Sequence, residues 1–411
     1  MVNWFYRFLK KSQKYTGTDN VYLIKGGFWL TSGQIVSTLA AFLLAVVLAN
    51  LLAPATYGSY KYILSLFGML EILSLLGMRK AITQAVARGL EGSFYTGFKC
   101  RLKWAFAGSL IALGGAGYYW LRGNHVLPIP LLISAIFLPL MNASRVYTSF
   151  LEGRKFFNVL TKYQIITQIA FTIAIITALF LTKNLFWLIA VYLVSHTLLN
   201  YFFYLMTKVQ FKPDKQEDPQ TISYGKHLSL IGVISQTATY LDKILLFTFI
   251  GPAQLAVYSF AVMLPEEIQK VLGNISTLAM PKLATKSREE IKMSIMKKFW
   301  KLVFLVGIII ILYIIIAPYF YRIFFPQYLE SIRYSQIFML SFVSTPALIL
   351  GTVFEAKMMK KELYLIKIAP FISIILMAIL IPFYGILGAI MALIGSQAFK
   401  LGLILFLFRK L

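Results

Sequence analysis

Six positions, Gly225, Ser229, Gly232, Gln236, Thr239 and Lys243, recur at steps of three and four in an otherwise apolar stretch and so share one helical face. Polar and charged groups are costly inside a bilayer, so a row of them must look at protein or water rather than lipid. Subtracting 198 from each number lands on Gly27, Thr31, Gln34, Thr38, Ala41 and Ala45, again a small or polar face. Two equivalent faces related by one offset are expected where both border a cavity. Small and hydroxylated residues at this spacing also permit close helix–helix packing. Lys243, deep in its stretch, favours the cavity.

Other elements carry similar groups. Ser259, Glu266, Lys270, Gly273 and Thr277 correspond under the same offset to Lys61, Gly68, Ile72, Leu75 and Arg79. Asn142, Arg145, Ser149 and Glu152 form a third set, and Ser341, Thr345, Thr352 and Glu355 a fourth. Glu266 and Lys270 stand four apart and could pair along their own helix. Asp242 and Lys243 are adjacent, about 100° apart around a helix, so that one can face the cavity while the other meets a neighbour. Glu71 and Glu267 are the remaining mid-membrane carboxylates. Lys367 and Lys400, on late helices, are expected to snorkel or play a structural part, and His196 to pack.

The elements that position these residues are apolar stretches at roughly 27–51, 57–78, 104–121, 127–151, 163–181, 185–206, 228–250, 253–279, 301–317, 333–355, 363–382 and 385–408. With 59% hydrophobic and 13% charged residues, against about a quarter charged in ordinary soluble domains, much of the chain must lie in lipid. The net charge of +25 would suggest nucleic acid in a soluble protein; here it orients the spans. Of the 40 Lys and Arg residues, 30 lie in the terminal segments and the connections after every second stretch, six within helices and four on the opposite side. By the positive-inside rule this predicts an all-α polytopic membrane protein of twelve transmembrane helices with both termini cytoplasmic.

Internal echoes divide the chain. Leu51-Leu52-Ala53-Pro54-Ala55 with Tyr60 matches Phe249-Ile250-Gly251-Pro252-Ala253 with Tyr258, and Leu151-Glu152-Gly153-Arg154 matches Phe354-Glu355-Ala356-Lys357. Two related halves are the mark of many secondary transporters, whose substrate sites lie between the repeats. The expected division is a six-helix bundle at 1–207, a cytoplasmic linker at 208–227 and a pseudo-symmetric six-helix bundle at 228–411. Residues 1–20, with Trp4, Phe5 and Phe8 opposite Arg7, Lys11 and Lys14, suit a helix lying on the cytoplasmic membrane surface. The single Cys100 rules out an intrachain disulfide and a multi-cysteine metal site.

Catalysis finds little support in the residues. No Gly-rich phosphate loop, metal-ligand cluster or nucleophile–base pair is visible, and the short outer loops offer only Glu330 as an acid. A polytopic glycosyltransferase or polysaccharide polymerase is therefore disfavoured.

The first hundred residues carry a resemblance. Tyr22-Leu23-Ile24-Lys25-Gly26-Gly27-Phe28-Trp29, Ala49-Asn50-Leu51-Leu52-Ala53-Pro54 and Tyr57-Gly58-Ser59-Tyr60-Lys61-Tyr62, then Gly77-Met78-Arg79-Lys80-Ala81-Ile82 and Ala87-Arg88-Gly89, resemble the opening of Wzx-type oligosaccharide flippases. Those belong to the multidrug/oligosaccharidyl-lipid/polysaccharide (MOP) flippase superfamily. The resemblance implies a plasma-membrane flippase that moves polyprenyl-diphosphate-linked oligosaccharide from the cytoplasmic to the outer leaflet by alternating access. Its partners would be that lipid-linked substrate, membrane lipid and the polysaccharide assembly machinery, with no nucleic acid. Cations hold a diphosphate by charge-assisted hydrogen bonds, which makes Lys25, Lys61, Arg79, Arg145 and Lys243 the head-group candidates on this reading. Gln34, Gln236, Tyr57, Tyr60 and Tyr240 could meet sugars. Glu71, Asp242 and Glu266 could carry a coupling proton or sodium ion; no other cofactor or metal is implied. A multidrug exporter of the same superfamily would share the fold, but its cavity should be dominated by carboxylates.

Overall fold

In the computed structural model the described residues are 20–410 apart from 125, 285–287 and 358; at 20–26, 30, 271, 273–284, 288–294, 355, 356 and 360 only the backbone is described. Asn20 apart, the surface helix expected at residues 1–20 lies outside them. The regular structure of the described chain is helical and runs as α1 (Asn20–Leu51), α2 (Pro54–Ile72), α3 (Met78–Ala87), α4 (Ser93–Leu121), α5 (Pro128–Ser144), α6 (Val146–Gly153), α7 (Phe157–Leu181) and α8 (Leu185–Phe211). It continues as α9 (Thr221–Ile250), α10 (Pro252–Ala284), α11 (Arg288–Phe324), α12 (Ser331–Met339), α13 (Ala347–Ala356), α14 (Lys360–Ile366) and α15 (Ala369–Arg409). Among the described residues seven helical segments are long and apolar enough to cross a bilayer, or eight if the bent pair Ser331–Ser344 and Ala347–Phe354 is one span. This is an all-α, multi-pass membrane protein.

Local sequence sets the helix ends and breaks. Pro54 and Pro252, equivalent under the repeat, each open a helix, where a missing N–H and a fixed φ cost nothing. The side chain of Asn184 caps α8 by accepting from the Phe186 N–H at 2.9 Å. Gly385 (φ 56°, ψ −127°) interrupts α15, between the apolar stretches expected at 363–382 and 385–408. That backbone conformation is open to glycine and closed to most residues.

The apolar stretch expected at 57–78 is not one helix. It ends at Ile72, and Leu75 has φ 58°, uncommon for a residue with a Cβ. A helix end leaves carbonyls without intrahelical partners; here the buried Arg101 donates from Nε to the Ser74 carbonyl at 3.2 Å. The stretch at 127–151 is likewise interrupted at Arg145, between α5 and α6.

Two compact units emerge. The first comprises described residues up to Leu48 together with Met69–Gly232, and the second Ala49–Gly68 together with Val233–Leu411. Both α2 and α9 therefore contribute to each unit. In the first unit Met78, Ile82, Phe94, Phe150, Leu151 and Phe203 form a buried core, and Cys100 packs against it. Residues 212–221 are strapped to this core. The Gly92 N–H donates to the Gln216 carbonyl at 2.8 Å, Arg88 pairs with Asp218, and Glu91 takes both Arg154 and the Asp214 N–H.

In the second unit the segment at 49–68 is held by close backbone approach. A Cβ at Gly58 would fall on the Pro252 carbonyl. Tyr57 stacks on Phe260 with centroids 4.6 Å apart, and the Asn50 amide donates to the Phe324 carbonyl at 3.0 Å.

Candidate functional site

The second unit carries an open cavity of about 610 Å³. Ser235, Thr239 and Asp242 reach it from α9, Glu266 and Gln269 from α10, Ser341 and Thr352 from the bent pair, and Ser373, Gln397 and Lys400 from α15, with Lys367 just before that helix. Each set follows from helical spacing. Ser235, Thr239 and Asp242 lie at steps of four and three, and Ser396, Lys400 and Ile404 at steps of four, so each helix turns one stripe to the same space. The 41° bend between Ser344 and Ala347 falls at Pro346, a residue that cannot continue the backbone hydrogen-bond ladder.

Asp242 is 4% exposed and is the centre of a charged cluster on this wall. Tyr258, wholly buried, donates from its hydroxyl to Asp242 Oδ2 at 2.6 Å. The Lys243 backbone N–H donates to Oδ1 at 2.7 Å, and its ammonium reaches Oδ1 and Oδ2 at 3.3 and 3.1 Å. The Lys243 ammonium also lies 5.9 Å from the Tyr258 ring centroid, and the Lys61 ammonium lies 5.6 Å from that of Tyr57. Lys243, Glu266 and Lys270 are charged neighbours of Lys61. Lys270 itself pairs with Glu267 at 2.5 Å, not with Glu266 as the four-residue spacing suggested. Glu266 is left to the cavity.

A second set of charges lies in the first unit, where α2 ends and α5 is interrupted. Arg145 donates to Glu71 at 2.8 Å, and Arg79 to Glu152 at 2.5 Å with Thr83 beside it at 3.4 Å. Arg101, at the break after α2, has Glu71, Arg145 and Arg79 as charged neighbours. His196 packs against Phe171 in a tilted contact and against Tyr192 edge-on, at 4.3 and 4.9 Å between centroids.

The candidates read from the sequence thus fall into groups. Asp242 and Glu266 border the cavity; Lys243 pairs with Asp242, and Lys61 has Lys243 and Glu266 as charged neighbours, neither lysine being among the lining residues. Arg79, Arg145 and Glu71 belong to the first unit's charge cluster. Gln34 is exposed on α1 and donates to Thr38 at 3.2 Å. Gln236 is half-buried, and the ring of Tyr240 packs over Gly68, where a Cβ would strike it. The side chains of Lys25 and Glu355 lie outside the described residues. The polar stripe of α9 divides. Gly225 packs on Met78, and the Ser229 hydroxyl accepts from the Gly77 N–H at 3.0 Å, whereas Thr239 reaches the cavity.

The sequence reading passed over Lys367, Lys400, Gln269 and Gln397 as cavity groups. The signal was present in Ser396, Lys400 and Ile404, and in Lys367, Pro370 and Ser373, which repeat at steps of three or four. A lysine near a helix end has a second outlet, the membrane surface, and spacing alone does not separate the two.

Comparison with known proteins places this geometry in a family. Residues 23–285, more than half of the chain, match the family model described as polysaccharide biosynthesis protein. No curated protein matches. Among solved structures, the lipid II flippase MurJ in an inward closed conformation superposes with a TM-score of 0.69 at 14% identity, covering 94% of this chain and 87% of that one. A MOP-superfamily transporter from Pyrococcus furiosus, described as having a binding pocket of reverse polarity, gives 0.60 at 12% identity, with 95% of each chain covered. An inward-facing multidrug-resistance MATE transporter gives 0.61 at 11% identity, covering 91% of this chain and 94% of that one. At these identities the likeness is one of fold.

Proposed function

Because the chain belongs to the polysaccharide biosynthesis protein family, we propose that it is a Wzx-type flippase moving polyprenyl-diphosphate-linked oligosaccharide from the cytoplasmic to the outer leaflet of the plasma membrane. It works by alternating access on a twelve-span chain with both termini cytoplasmic, and it passes its cargo to the polysaccharide assembly machinery. No covalent bond is made or broken, so the protein is not an enzyme.

The observation that carries this reading is the cavity lining. Lys367 and Lys400 offer cations for the diphosphate, and Gln269, Gln397, Ser373 and Ser396 offer hydroxyl and amide partners for sugars, all on one space. Lys61, Lys243, Arg79 and Arg145 are further cations that the diphosphate can meet on its way. Glu71, Asp242 and Glu266 are the carboxylates for a coupling proton or sodium ion.

Asp242 and Glu266 on the same wall favour a second reading, export of organic cations. Proteoliposomes separate the two. The flippase reading expects protein-dependent movement of a fluorescent polyprenyl-diphosphate oligosaccharide into a leaflet accessible to a quencher, falling at least roughly tenfold, the effect of losing about 1.4 kcal/mol of binding, in Lys367→Met/Lys400→Met. Efflux of a cationic dye without movement of the lipid-linked glycan would replace it with the exporter.

A further inference from the structure

At the end of the first unit that carries the 212–221 strap, two helices bring lysines together. Lys99 and Lys103 stand four apart on α4 and so share a face, and Lys226 comes from the start of α9; all three are exposed. Lys103 and Lys226 are both charged neighbours of the half-buried Cys100, so their ammonium groups lie near one spot. The Lys226 ammonium is also 5.6 Å from the ring centroid of Trp104, which is 41% exposed.

None of the ion pairs among the described residues involves Lys99, Lys103 or Lys226. Glu91 and Asp218, acids at this end of the unit, are already taken by Arg154 and Arg88. The face of α4 that begins with Lys99 and Lys103 continues at steps of three and four through Phe106 and Leu110, and on α9 Leu230 follows Lys226 by four; all three apolar side chains are exposed. In a membrane protein an exposed apolar face meets acyl chains, and a tryptophan at the end of such a face sits at headgroup level with its indole N–H as a donor. The surface thus offers cations and a donor at one level and hydrocarbon contact at the next, the order of groups in a phospholipid.

We propose that Lys103, Lys226 and Trp104 form a binding site for the headgroup of an anionic phospholipid, whose acyl chains lie along Phe106, Leu110 and Leu230. On the topology proposed above, this lipid belongs to the cytoplasmic leaflet. Its phosphate oxygens accept charge-assisted hydrogen bonds from both ammonium groups, and the indole ring, already beside one of them, closes the site on its apolar side. A zwitterionic lipid carries its own cation next to the phosphate and gains less from the two lysines. The lipid is a bound companion of the fold and not its cargo, so the proposal stands apart from the flippase reading.

The test uses the full-length protein in phosphatidylcholine vesicles that contain a small, equal fraction of either phosphatidylglycerol or phosphatidylcholine brominated on its acyl chains close to the headgroup. Bromine quenches tryptophan fluorescence on contact, and the contribution of Trp104 among the six tryptophans is taken by difference from Trp104→Phe. Each protein is referred to itself in unbrominated vesicles of the same headgroup composition. Brominated phosphatidylglycerol should quench Trp104 in preference to brominated phosphatidylcholine. Each lysine should supply roughly a fivefold share of that preference, the equivalent of about 1 kcal/mol. Lys103→Gln and Lys226→Gln should each lower it by that share, and the double glutamine variant should show none. The double variant Lys103→Arg/Lys226→Arg keeps both charges and should keep the preference. Equal quenching by the two lipids in the parent, or a preference that survives the double glutamine variant, would overturn the proposal. No transport is measured, so either result leaves the flippase reading untouched.

Discussion

Glu71 and Arg145 invite a double-mutant cycle, because the neighbourhood predicts that the two single changes are unequal. Losing one partner of a fully buried ion pair costs about 3–5 kcal/mol, and an exposed pair is worth about 0–1 kcal/mol. The Arg145 and Glu71 side chains are 33% and 20% exposed, between these limits, so Arg145→Gln should cost about 2 kcal/mol. Glu71 then still has Arg101 as a charged neighbour. Glu71→Gln removes the carboxylate from both Arg145 and Arg101, and the uncompensated second cation adds on the order of 1 kcal/mol. Relative to the parent, the folded-to-unfolded equilibrium constant should fall roughly 30-fold for Arg145→Gln and 150-fold for Glu71→Gln. The double variant, with no carboxylate–guanidinium pair to break, should be more stable than Glu71→Gln alone. Equilibrium unfolding of the purified protein in mixed sodium dodecyl sulfate and dodecyl maltoside micelles reads all four corners. Additive single effects, or a larger cost for Arg145→Gln, would refute this account of the cluster.

Two further outcomes follow from the geometry. Gly58→Ala drives a Cβ onto the Pro252 carbonyl and should cost about 1–3 kcal/mol as overpacking, whereas Gly27→Ala meets nothing within 4 Å and should be neutral or slightly stabilising; yield and unfolding of the two proteins decide. The Asp218 carboxyl is held below its ordinary 3.8, chiefly by the Gln220 backbone N–H and then by Thr221 and Arg88, against the opposing effect of burial. A depressed folded value means that this strap is at full strength above the ordinary carboxylate range and weakens as pH falls through the folded value. Protease cleavage at residues 212–221 should therefore rise on acidification from about pH 6 to 3, and Asp218→Asn should be cut readily at both ends of that range; a pH-independent parent would refute it.

Much of the fold is legible in the sequence because bilayer physics is blunt. Apolar stretches of sufficient length must be helices whose backbone groups pair internally, and the repeat at Pro54 and Pro252 marks two helix starts that the structure also has. The break after Ile72 was not legible. Nothing in Leu73-Ser74-Leu75 signals a turn, and the residue that answers the freed Ser74 carbonyl, Arg101, comes from another helix. The division of the α9 stripe was hidden for a similar reason: Ser229 and Thr239 are chemically alike, and only the neighbours, Gly77 in one case and a cavity in the other, tell them apart.

Asp242 and Lys243 show why angular position on a helix is a weak guide for long side chains. Their Cα atoms are separated by about 100°, which suggested separate surroundings, yet the flexible lysine stem brings its ammonium back to both carboxylate oxygens. This pairing sets the electrical character of the cavity. With Asp242 offset by Lys243 and held by the Tyr258 hydroxyl, Glu266 is the other carboxylate on the described lining. An organic cation would have to displace Lys243 to use Asp242, leaving that ammonium buried without its partner. That cost weighs against the organic-cation reading.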